Sequence, residues 1–119
     1  MKKRKQYYLT ELQDLLTDWE DADGCLATDR ITVDGCKVGY MYREEPDTSE
    51  EFDSYDSGWR FFAGDEDDDY VNDPKNSGVY RLNTLCNYDK DIIPLLHSPY
   101  NTAFYRDEEG NFVQEELEE

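Results

Sequence analysis

Residues that usually carry metal or redox chemistry are scarce in this chain. It has three cysteines, Cys25, Cys36 and Cys86, with no Cys-x-x-Cys spacing, and one histidine, His97. An odd, irregularly spaced set argues against both a disulfide framework and a zinc site. No apolar run approaches membrane-spanning length. The basic N-terminus leads into Gln6, Tyr7 and Tyr8 and then an acidic stretch, not into the apolar segment of a signal peptide. A reducing, cytoplasmic location is expected. Cations are also few: twelve Lys and Arg stand against thirty Asp and Glu, for a net charge of −18. Four of those cations are clustered at Lys2, Lys3, Arg4 and Lys5. The remaining surface repels nucleic acid and anionic membrane and attracts cationic proteins.

Aromatic residues are abundant, with ten Tyr, five Phe and two Trp in 119 residues. They supply enough buried area for one core in a chain whose charge alone would suggest disorder. The expected division is a basic tail over 1–5, one domain over 6–114 and an acidic tail over 115–119. The most apolar stretch is Gly58 to Gly64. Trp59, Phe61 and Ala63 alternate there with Arg60, Phe62 and Gly64, so aromatic residues occupy both faces and a central strand is predicted. The next five residues, Asp65, Glu66, Asp67, Asp68 and Asp69, are all carboxylates and must leave the core as a surface loop.

Leu9, Leu12, Leu15, Leu16 and Trp19 recur at helical spacing, which predicts an amphipathic helix over Tyr8 to Glu20. Runs at 25–32 and 36–43, joined by Val33-Asp34-Gly35, read as an antiparallel hairpin, with Gly39 marking a bulge or a close approach. Glu44 to Ser57 reads as a polar, acidic loop. Val79 to Cys86 reads as a strand, Asn87 to Leu96 as a short helix, and 102–106 with 111–114 as a second hairpin. The fold class is therefore α+β, with a mainly antiparallel sheet, the N-terminal amphipathic helix and one short helix. The two acidic loops lie at opposite ends of one strand, roughly 20 Å apart. The sequence leaves open whether they share a patch.

No residue pattern supports catalysis. Asp65, Asp67 and Asp69 resemble the opening of a calcium loop, but Tyr70 stands where that loop needs glycine and Asn76 where it needs glutamate. No metal or cofactor is therefore assigned. Cys25 or Cys86 with His97 lacks any nucleophile signature, and buried cysteine is usually inert packing.

Four segments together resemble the bacterial immunity protein 33-like family, long known as a domain of unknown function. They are Ala27-Thr28-Asp29-Arg30, Lys37 to Pro46 with its Tyr-Arg-Glu-Glu-Pro end, Asp56 to Glu66 with Gly-Trp-Arg-Phe, and Asn83 to Asp89. The similarity spans about Cys25 to Phe112. It implies a non-catalytic protein that binds and neutralises a cognate bacterial toxin, and it brings no catalytic residues. A nuclease with a basic active site is the toxin type that suits so acidic a chain. The candidate partner-binding residues are Asp65, Glu66, Asp67, Asp68, Asp69, Tyr70, Glu44, Glu45 and Trp59. Arg43 and Arg60 are expected to form structural ion pairs with nearby carboxylates. The alternative reading is a small acidic regulatory module that binds a cationic ligand or a metal.

Overall fold

The structure, a computed structural model, describes residues 5–20, 22–45 and 55–115. Most of the basic tail, most of the acidic tail and residues 46–54 of the first acidic loop lie outside the described residues. Among those described, six strands form one sheet in the order β4-β1-β3-β2-β5-β6. They are β1 (Gly24–Thr28), β2 (Tyr40–Arg43), β3 (Asp56–Phe62), β4 (Ser77–Arg81), β5 (Thr102–Arg106) and β6 (Phe112–Glu115). Every neighbouring pair is antiparallel except β1 with β3. The helices are short: α1 (Asp29–Thr32), α2 (Asp68–Asn72) and α3 (Leu82–Tyr88), with 3₁₀ turns at Pro74–Asn76 and Lys90–Leu95.

The aromatic strand is central, as its sequence requires. Ser57 to Phe61 are all buried in β3, and a strand buried on both faces needs a neighbour at each edge to satisfy its backbone. That requirement overturns the first expected hairpin. β3 inserts between β1 and β2, and residues 29–32 turn into α1 instead of continuing the strand. Gly35, at φ +82°, ends that helix by donating its amide to the Ile31 carbonyl. Asp34-Gly35 is thus a helix stop and not a hairpin turn.

The N-terminal amphipathic helix is also absent: described residues 5–20 contain none and run as an irregular strap. Its backbone donors are taken by tertiary acceptors. Tyr8 donates to the Thr32 carbonyl, Leu9 to the Tyr88 hydroxyl, Gln13 to Asn87 Oδ1, and both Leu15 and Leu16 to Asn83 Oδ1. Amides used in this way cannot close helical turns. The leucines still serve the core, where Leu9, Leu15, Leu16 and Trp19 pack against the buried cluster.

Farther along, β4 ends at Arg81 and the chain continues as α3, because Leu82, Leu85 and Cys86 follow a helical and not an alternating spacing toward the core. The second hairpin forms as β5 and β6. Cys25, Ala27, Met41, Trp59, Phe61 and Phe104 point from the sheet into one cluster with Ile31, Leu82, Leu85, Ile92 and Leu96 of the helical side. The opposite sheet face receives no such cover from the described helices of that cluster.

Candidate functional site

Strand alternation determines what the second face displays. Since Ala27 and Phe61 are paired on the core side, their neighbours Leu26 and Arg60 are paired on the other. The same register places Val79 beside Leu26, Tyr42 beside Arg60, and Tyr40 between Phe62 and Tyr105. Leu26 remains 36% exposed, Tyr105 41% and Val79 51%. The Tyr42 and Phe62 rings stack with centroids 5.9 Å apart and planes 13° apart. Burial, reinforced by a hydrogen bond to Glu115, pushes the Tyr40 hydroxyl up to about 12. It stays protonated at neutral pH.

A bulge at the start of β3 sets the polar centre of this face. In β1, Gly24 and Leu26 are two positions apart, yet their partners Asp56 and Arg60 are four apart. In a regular strand such a pair would be separated by roughly 13 Å. Here Gly58 takes φ +91°, and the chain folds back far enough for Arg60 to grip both oxygens of Asp56 at 2.8 and 2.7 Å. Arg60 Nε donates to Glu44 at 3.0 Å. Partial burial would raise the Asp56 carboxyl, but the guanidinium and the Gly58 amide outweigh it and hold the group below its ordinary value.

The acidic run folds back along the same face. Glu66 caps the end of the aromatic strand, accepting from the Ala63 and Gly64 amides at 2.8 Å and from the Thr28 hydroxyl. Partial burial acts to raise its pKa, and these donors bring it below the ordinary range. Asp65 pairs with Arg30, which holds its carboxyl low. Asp67 caps α2 by accepting from the Tyr70 amide, while Asp68 and Asp69 are exposed in the first turn. α2 carries Val71 over the sheet. A cleft of about 220 Å³ lies between Leu26, Tyr42, Phe62 and Val71, with Glu44 and Arg60 also in its lining. Residues from beyond both ends of β3 therefore meet at one cleft.

The candidate residues consequently divide. Asp65, Glu66 and Asp67 have structural partners, Tyr70 is partly buried, and Asp68, Asp69 and Glu45 are exposed. Glu44 and Arg60 lie in the cleft. Trp59 has to be removed from the partner-binding set. It is 0% exposed, in the core, with its indole N–H donating to the Leu96 carbonyl. Its parity in β3 places it on the covered side. Arg43 does not form the expected carboxylate pair among the described residues. Its guanidinium lies over Trp19, Tyr100 and Trp59 and donates to the Ser57 and Ser98 carbonyls. Sequence reasoning overlooked Tyr40, Tyr42, Phe62 and Leu26 as surface residues. Alternation within each strand gives its two sides, but the shared face follows from the register of β1, β2 and β3, which no local pattern carries.

Among the described residues no helix is long and apolar enough to cross a membrane, and no three His, Cys, Asp or Glu side chains are grouped to hold a metal ion. No curated protein and no solved structure is matched by this sequence. A profile of the Immunity protein Imm33 domain does match, over residues 25–116, which takes in the six strands except the first residue of β1 and leaves out the strap. By that match, over most of its length, the chain belongs to the Imm33 immunity protein family.

Proposed function

We propose that this protein is a cytoplasmic, non-catalytic immunity protein that binds a cognate bacterial toxin and blocks it stoichiometrically. The observation that carries this reading is the sheet face opposite α1 and α3: tyrosine, phenylalanine and aliphatic side chains ringed by Glu44, Asp56 and Glu66. Such a surface suits a protein partner, because aromatic side chains supply contact area at small conformational cost and charged rims steer association. The sign of the rim favours a toxin with a basic surface, and a nuclease presents one to its phosphates. Family membership supports the immunity role.

The test is co-expression with the product of a neighbouring toxin-like gene, purification of the complex, and titration of toxin activity with and without a chelator. Inhibition that ends at a fixed molar ratio and survives chelation is the expected result. Substoichiometric protection, or covalent change in the toxin, would make this chain an enzyme.

A further inference from the structure

We propose that the cleft between Leu26, Tyr42, Phe62 and Val71 receives one lysine or arginine side chain of the toxin. The inference rests on the toxin-binding reading above and names the chemistry at its centre. At about 220 Å³ the cleft is below the usual size of a small-molecule site and suits a single long side chain. Its walls are largely apolar, so they match the methylene stem of a basic residue, whose head stays at the polar rim. An adjoining cavity shares Tyr42, Phe62 and Val71 and is bordered by Glu66.

The charge around the cleft selects among occupants. Arg60 is the guanidinium in its lining, and both Asp56 oxygens and a Glu44 oxygen already engage it. Glu66 is held by a hydroxyl and two amides, neutral donors that stabilise its charge without cancelling it. Two carboxylates thus engage one guanidinium and Glu66 adds a third at the adjoining cavity, so the excess is negative. An incoming carboxylate would have to displace Asp56 or Glu44 from Arg60 and would face Glu66. An incoming cation meets complementary charge with no pair broken.

Two measurements test this. In the first, n-butylguanidinium, n-butylamine, butyrate and n-butanol are titrated separately while the aromatic resonances of Tyr42 and Phe62 are followed by NMR. Saturable shifts with the two cations, at least threefold weaker in Glu44→Gln, are expected. Saturation by butyrate or butanol, with none by the cations, overturns the proposal. In the second, toxin binding is measured for Leu26→Arg, which places a cation of this chain at the cleft. A Kd at least tenfold higher, with the melting temperature within a few degrees of wild type, is expected. The double variant Glu108→Gln/Glu109→Gln removes two exposed charges from the β5–β6 turn and should leave Kd within about twofold. Equal effects from the two variants would reduce the cleft to a bystander. Failure of the wild type to bind toxin at all would instead sink the functional reading, and the NMR titration would still decide the cleft's chemistry.

Discussion

Arg60 and Arg43 show how two arginines on adjacent strands can do unlike work. Arg60 is 9% exposed and sits between Asp56 and Glu44. Arg60→Met would leave those carboxylates without their cation, at a cost of about 2–4 kcal/mol at neutral pH, measurable by urea unfolding. The pH dependence has a definite sign. The folded-state pKa of Asp56 is depressed below 3.8, so its ion pair stabilises fully above that value and the contribution is lost as pH falls through the lower, folded value. The gap between wild type and Arg60→Met should therefore close in acid. Arg43 depends on shape more than charge, because its Cζ lies 4.6 Å from the Tyr100 centroid and 5.3 Å from that of Trp19. Arg43→Lys keeps the charge but loses the flat stacking surface and the two-carbonyl fork, and should cost about 1–2 kcal/mol. The thiols give a third check on residue environment. Burial raises Cys25 and pushes Cys86 up to about 11, whereas Cys36 is only partly buried. A thiol reagent at pH 8 should titrate one cysteine in the native protein and three after denaturation.

At the scale of elements, the strap is where periodicity misled. Leu9, Leu12, Leu15, Leu16 and Trp19 carry a helical stripe, but the competing acceptors, Asn83, Asn87 and Tyr88, lie about seventy residues away in sequence. No local pattern reveals a partner at that distance. Asn83→Ala removes the shared acceptor of two strap amides and a donor to the Gln13 carbonyl, a loss of about 1–3 kcal/mol. Hydrogen exchange should show Leu15 and Leu16 losing protection while the amides of β3 keep theirs. Elements specified by their own residues were legible. β3 followed from its double-sided aromatics, β5 and β6 from their turn, and the close approach at Gly39 from a glycine within a strand-like run, since a Cβ there would collide with the Ala63 carbonyl. The pairing of β1 was not legible, because it depends on β3 competing for the position that the Asp-Gly dipeptide suggested for β2.

For the whole molecule, the surplus of carboxylates divides into structural and free-standing roles. Asp56, Asp65, Glu66 and Asp67 hold parts of the fold together, and Asp68 and Asp69 project into water. Neutralising Asp68 and Asp69 as Asn should slow toxin association and flatten its salt dependence with little change in melting temperature. Neutralising Glu66 should instead destabilise the chain, which separates the two roles in one set of melts. The sheet order carries a further consequence, in time. β1 is made first yet lies inside the sheet, between β3 and β4. Its last partner is complete only when Arg81 has left the ribosome, roughly 3–11 s after Gly24 at ordinary elongation rates. A nascent chain therefore holds an unfinished sheet through most of its synthesis, and β1 has both of its neighbours only in chains elongated past β4.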